Sequence, residues 1–127
     1  KYYDIIFAYR PSDINAYKYF GARFVKLLPP WYVKSINFPE TLTKKEKNIY
    51  NTDVVFAGHY EADGRKDIFK DLIRDKIRIK LYGPEWEGVS ESDPILKNLD
   101  IRQLNLAEYN KAICGAKIAL KGPLFNC

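Results

Sequence analysis

Thr52-Asp53-Val54-Val55-Phe56-Ala57-Gly58-His59-Tyr60 is a short apolar run that ends in a glycine. A polar stretch, Glu61-Ala62-Asp63-Gly64, follows it. From Arg65 onward the apolar residues Ile68, Phe69, Leu72 and Ile73 recur at the spacing of one helix face. The reading is a strand, a glycine loop and a helix. In open α/β sheets ligands bind outside the carboxyl ends of the strands, where helix N-termini offer free backbone N–H groups to anions. Gly58 has no Cβ and would let such a group come close to the backbone. By itself the motif is short: one glycine, with no G-x-G-x-x-G and no G-K-[ST].

Downstream, residues 77–82 (I-R-I-K-L-Y) alternate as a strand does, and Gly83-Pro84 ends them. Residues 85–99 read as a loop with room for one helical turn, and residues 101–104 as a short strand. Asn105 with Glu108 three positions on is a capping box, which predicts a helix with Tyr109, Ala112 and Ile113 toward the core and Gly115 at its end. Residues 116–120 form the last predicted strand, before Gly122-Pro123. Upstream, residues 3–9 read as a buried strand. Ser12 or Asp13 caps a short helix carrying Ile14, Tyr17 and Phe20, Gly21 closes it at C′, and residues 22–28 form a second strand stopped by Pro29-Pro30.

Between these halves the composition changes. Pro29, Pro30 and Pro39 interrupt structure, and residues 41–51 are polar. The stretch reads as a connector, with Trp31, Tyr32, Ile36 and Phe38 packed on a domain face and a short helix over residues 43–50. A long irregular segment is unusual inside one domain, which predicts two: residues 1–50 and residues 51–127. The order β-α-β, connector, β-α-β-(β)-α-β predicts parallel strands with right-handed crossovers. The strands at Val54, Ile79 and Ile118 should share one sheet, with those before Pro29 apart from it or at its edge.

Composition narrows the classes. Of 127 residues, 46% are hydrophobic and 29% charged, a globular balance that excludes a disordered chain. No apolar stretch approaches the ~18 residues of a membrane span. The net charge of +5 suits an anionic partner, but no RNP, helix-turn-helix or zinc pattern accompanies it, so nucleic acid is not an expected partner. Lys44-Lys45-Glu46-Lys47 reads as a solvated mixed run. Cys114 reads as a buried thiol in a helix and Cys127 as incidental. Two cysteines make neither a disulfide framework nor a zinc site, which fits a reducing cytoplasm. Lys1-Tyr2-Tyr3-Asp4 shows no signal-peptide pattern, and the lack of any Met leads us to expect a piece of a longer protein. Asp67, Asp71 and Asp75 form a charged helix face. With no Asp-x-Asp anywhere, a cation-dependent sugar transferase is not expected, nor is a metal or other cofactor.

The segments D-V-V-F-A-G-H-Y, then Arg65, then I-K-L-Y-G-P-E-W, then L-A-E-Y-N-K-A-I-C-G-A-K-I-A-L resemble, in order, the spore-maturation (CgeB-like) glycosyltransferases of the GT-B class. The upstream D-I-I-F-A-Y-R-P-S-D-I-N-A-Y-K-Y-F-G-A-R-F-V-K-L-L-P-P is similar to the end of that family's N-terminal domain. The resemblance covers nearly the whole chain. It implies two Rossmann-like parallel-sheet domains, with a nucleotide-sugar donor held mainly by the C-terminal one. Gly58, His59 and Tyr60 would then lie in the first loop of the donor domain, Arg65 at the start of the following helix, and Gly83, Pro84 and Trp86 in the loop after the second strand. Backbone N–H groups of Gly58 and His59, with Arg65, would stabilise the leaving diphosphate without a metal. The family's glutamate-bearing donor motif would follow Cys127. Its absence leads us to expect no sugar transfer by these residues alone, and self-association through the strand at residues 116–120. The acceptor is not implied.

Each of these residues also has a plainer reading. His59, the sole histidine, either hydrogen-bonds the donor or merely closes a strand end. Arg65 either forks onto a diphosphate or sits solvated at a helix start. Tyr60, Tyr82 and Trp86 either form a stacking wall for a base or cover a sheet edge. The competing function class is a non-catalytic α/β nucleotide- or protein-binding module. A receiver domain is disfavoured, because the first strand ends in Tyr9-Arg10 and Asp53 precedes its strand.

Overall fold

A three-stranded parallel sheet surrounds the opening motif. In the computed structural model, which describes residues 3–29 and 32–120, β3 (Thr52–Ala57) lies between β4 (Ile79–Tyr82) and β5 (Ala116–Leu120). Val54 faces Ile79 on one side and Ile118 on the other. Trp31, Gly122-Pro123 and Cys127, singled out above, lie outside the described residues. The stretch read as a strand at residues 101–104 is reduced to a single parallel bridge between Arg102 and Tyr82, on the outer edge of β4. Counting that bridge, the order across the sheet is third, second, first, fourth. That is the opening order of a doubly wound α/β sheet, whose topological switch lies between the first and fourth strands.

Alternation along the strands serves both faces, because successive side chains point to opposite sides. Val54, Phe56, Ile79 and Leu81 pack with Phe69 of α3 (Arg65–Arg74), with Trp86, and with Leu96 in a 3-10 turn over Leu96–Asn98. Val55 and Tyr82 face the other way, against Leu42, Tyr50 of α2 (Lys44–Tyr50) and Ala112 of α5 (Leu106–Gly115). The loop after β4 holds more helix than its sequence suggests, a short α4 (Glu87–Ser92). The α5 capping box forms as predicted: Glu108 N–H donates to Asn105 Oδ1 at 3.0 Å, and Asn105 N–H donates to a Glu108 carboxylate oxygen at 3.1 Å.

The chain divides into two compact units, Lys1–Asn37 and Phe38–Cys127. Residues 38–50, read from sequence as the end of a connector, therefore belong with the second sheet. Lys44-Lys45-Glu46-Lys47 is the start of α2; its three lysines are exposed, as a solvated run should be, and Glu46 is half-buried. Glu46 accepts the Thr43 N–H at 2.8 Å and sits 2.6 Å from Lys111 Nζ on α5. Those bonds, with Lys111 first, hold the Glu46 pKa down at about 2. Gly115 admits this contact: a Cβ there would lie 2.7 Å from the Tyr50 carbonyl oxygen. Cys114, expected buried, is exposed, because Ala112 and Ile113 take the core side of α5. Its Sγ accepts the Glu40 N–H at 3.2 Å.

In the first unit β1 (Ile5–Ala8), α1 (Asp13–Tyr19) and β2 (Phe24–Leu27) make one β-α-β turn, with Ile5 opposite Phe24 in parallel register. Gly21, at φ +89°, closes α1. Its N–H bonds the Lys18 carbonyl while that of Ala22 bonds Tyr17, the closure a C′ glycine allows. Among the described residues of this unit only Ala8 is buried. The strand expected to be buried is thus mostly exposed, since a two-stranded sheet under one short helix cannot cover Ile5 and Phe7. Among the described residues, no helix is long and apolar enough to cross a membrane.

Candidate functional site

The carboxyl ends of β3 and β4 run into two loops that cross in contact. The Gly58 N–H donates to the Tyr82 carbonyl at 2.8 Å, the Tyr60 N–H to Pro84 at 3.2 Å, and the Gly83 N–H to Arg102 at 3.0 Å. Gly83 has φ +134°, and a Cβ there would sit 2.2 Å from the Gly58 carbonyl oxygen. Only glycine satisfies both the dihedral and the approach. Beside this crossing opens a cavity of about 190 Å³, lined by Gly58, Tyr82, Gly83, Gln103, Leu104 and Tyr109 among others. A larger hollow of about 440 Å³ follows the outer edge of β4 past Arg78, Lys80 and Asp100. It reflects the one-residue third strand, and we place the candidate site at the smaller cavity, where the strand ends and the glycine approach coincide.

Arg65 does not sit at this cavity as a free anion ligand. Its side chain is 3% exposed. Nε donates to Asp63 Oδ1 at 2.7 Å, Nη1 to the His59 carbonyl at 2.6 Å, and Nη2 both to Asp63 Oδ2 at 2.6 Å and to Glu61 Oε2 at 2.8 Å. These bonds use four of the five N–H donors of a guanidinium. The group also lies 5.3 Å from the centre of the Phe56 ring, in cation–π range. The Asp63 bonds raise the Arg65 pKa, and in return Arg65 holds the Asp63 pKa down at about 2. The start of α3 is therefore already occupied by carboxylate, and Gly64, at φ +88°, is its N-cap residue.

Trp86 is core rather than stacking wall. It is 1% exposed, donates its Nε1–H to the Gly58 carbonyl at 3.0 Å, and meets Phe56, Phe69 and Tyr60 ring to ring. Tyr82 is likewise buried, and burial raises its pKa. Behind it, Arg102 pairs with Glu108 at 2.7 Å and lies 5.7 Å above the Tyr82 ring, while Tyr50 Oη donates to Glu108 at 3.3 Å. Arg102, then the Asn105 N–H, hold the Glu108 pKa at about 2. His59 is the exposed member of the set, its side chain 55% accessible, with Nε2 2.6 Å from Glu61 Oε1.

The residues expected from sequence thus separate. Gly58, Gly83 and Pro84 meet at the crossing, and Tyr60 is tied to it. Arg65 and Trp86 support it from beneath, and His59 is presented outward. Sequence reading missed Glu61 and Asp63, whose pairing with Arg65 depends on the loop turning back on the start of α3. It also missed Gln103, Leu104 and Tyr109 as cavity walls; Tyr109, placed in the core by helical spacing, is 41% exposed. Among the described residues no cluster of three or more His, Cys, Asp or Glu is placed to hold a metal ion. Compared with family models, with curated proteins and with solved structures, the chain matches none of them.

Proposed function

We propose that the second unit is the opening half of a nucleotide-sugar-binding domain, and that the chain is part of a metal-independent GT-B-type glycosyltransferase. The observation that supports this reading is the place of the Gly58/Gly83 crossing and its cavity. They lie at the carboxyl ends of a parallel sheet with third-second-first-fourth order, where α/β folds bind nucleotides. Sugar transfer itself rests on the ordered sequence resemblance. In this reading the base and ribose enter the cavity against Leu104 and Tyr109, with the Gln103 amide as the polar selector. The acceptor oxygen attacks the anomeric carbon, the bond from that carbon to the diphosphate oxygen breaks, and the diphosphate departs. Arg65 serves by fixing the loop rather than by touching the diphosphate.

One observation favours a second reading, a non-catalytic α/β nucleotide- or protein-binding module. The carboxylates of Glu61 and Asp63 stand at the start of α3, where a phosphate would otherwise bind. Titration of the 127-residue chain with nucleoside diphosphates of each base, followed by amide NMR, separates the two. We expect saturable shifts of Gly58, Gly83, Gln103 and Tyr109 with one base, stronger for the diphosphate than for its nucleoside. Equal response to nucleoside and diphosphate would favour the module. No saturable shift up to about 5 mM, beyond the millimolar range of weak specific binding, would refute nucleotide binding at this cavity.

A further inference from the structure

Glu61 carries two contacts that no part of the binding reading uses. One carboxylate oxygen lies 2.6 Å from His59 Nε2, and the other accepts from Arg65 Nη2 at 2.8 Å. Arg65 also holds the His59 carbonyl at 2.6 Å, so the histidine is tethered at both its backbone and its ring to one buried guanidinium. Among the described residues Nδ1 of His59 has no partner.

We infer that Glu61 is a positioning residue, held by Arg65, that fixes the tautomer of His59 and so presents its Nδ1 as an acceptor for a ligand hydroxyl. The chemistry follows from the inventory of an imidazole. A neutral ring carries one N–H and one lone pair, and the nitrogen facing a carboxylate must be the donor. With Nε2–H on Glu61, the lone pair is left on Nδ1. That atom can accept from an O–H but cannot donate to a phosphate oxygen. His59 is then a hydroxyl acceptor rather than the phosphate donor its loop position first suggests. The hydroxyl can belong to a ribose or to a sugar. Arg65 prevents Glu61 from turning away, because rotation of the carboxylate would break the bond to Nη2. This arrangement follows the general rule that the partner of one ring nitrogen decides the work of the other. The ligand-facing half of the inference rests on the proposed nucleotide-sugar reading; the tautomer half stands on the geometry alone.

Because the chain has a single histidine, long-range nitrogen–proton NMR of the whole chain reports this ring without ambiguity. At about pH 8, above the ordinary imidazole range, the wild-type ring should be almost wholly the Nε2–H tautomer. Glu61→Ala should weaken that preference about tenfold, as expected for loss of a charge-assisted hydrogen bond. Arg65 keeps its Asp63 bonds in this variant, and an unchanged amide spectrum elsewhere shows that it folds; Glu61→Asp is the second variant if it does not. Equal tautomer ratios in wild type and both variants would overturn the inference. The probes are then the four common nucleosides, glucose, and inorganic pyrophosphate, added separately. Movement of Nδ1 with nucleosides assigns the ribose hydroxyl, and movement with glucose assigns the sugar hydroxyl. Movement with pyrophosphate alone overturns the inference. If Gly58 and Gly83 respond to a nucleoside while His59 is silent, this inference fails and the nucleotide reading survives. If all three are silent with every probe, the ligand-facing inference fails, while the nucleotide reading is decided by the nucleoside diphosphate titration above.

Discussion

Arg65→Ala should cost this protein stability rather than affinity. The substitution removes two bonds to Asp63, one to Glu61, one to the His59 carbonyl, and the contact with the Phe56 ring. It leaves two carboxylates beside each other with no cation. Breaking a fully buried pair on one side costs about 3–5 kcal/mol. Here the carboxylates keep some water, with the Glu61 side chain 47% and that of Asp63 23% exposed, so the lower end applies, about 3 kcal/mol. For a domain of this size that lowers Tm by roughly 10 °C. Arg65→Lys keeps the charge but not the planar fork, and should lose about half as much. Urea unfolding followed by far-ultraviolet circular dichroism measures both. A change under about 0.5 kcal/mol for Arg65→Ala, together with a tenfold loss of nucleoside diphosphate binding, would refute the reasoning and return the guanidinium to the ligand.

Three further outcomes are expected. Gly83→Ala, at φ +134° and with its Cβ 2.2 Å from the Gly58 oxygen, should destabilise by about 3 kcal/mol or more or displace the loop after β4, read by thermal melts and by Gly58 amide shifts; a wild-type melt would contradict the crossing. Asp63, Glu46 and Glu108 titrate near 2 in the folded chain against ordinary values of 3.8, 4.5 and 4.5. Because these folded pKa values are depressed, their stabilisation is fully present above the ordinary values and lost as pH falls through the folded ones. Melts should therefore stay level from about pH 7 to 5 and fall between about pH 4.5 and 2; an acid limb starting above pH 6 would count against these pairs. Asn105→Ala should cost about 1 kcal/mol through loss of the α5 cap, while Asn105→Asp should keep most of it; equal loss in both, in chemical denaturation, would show that the cap bond is idle.

Much of the fold was legible because it rests on local rules. The apolar run ending at Gly58, the stripe on α3, and the Asn105/Glu108 box each announce an element through spacing that neighbouring residues enforce. Parallel pairing followed from the alternation of strands and helices. What could not be read was whatever depended on a partner distant in sequence. Residues 38–50 look like linker until Glu46 meets Lys111 on α5. Trp86 looks like a stacking platform until its indole N–H meets the carbonyl of Gly58. Arg65 shows a different failure. Its partners are only two and four residues away, but a loop turning back on a helix start has no fixed period, so spacing carried no signal.

The central place of β3 sets an order of events in time. Its pairing with β4 closes within one helix, whereas Thr52 must wait for Ala116, 64 residues later, before its second edge is covered. At a synthesis rate of about 5–20 residues per second, that edge stays open for roughly 3–13 s as the chain emerges. Once Ile79 and Leu81 have emerged, Val54 and Phe56 are anchored on one side and unpaired on the other for the rest of that interval. A nascent chain stalled before β5 would carry a half-finished sheet with Val54, Val55 and Phe56 in the strand at its rim, the form most in need of a chaperone.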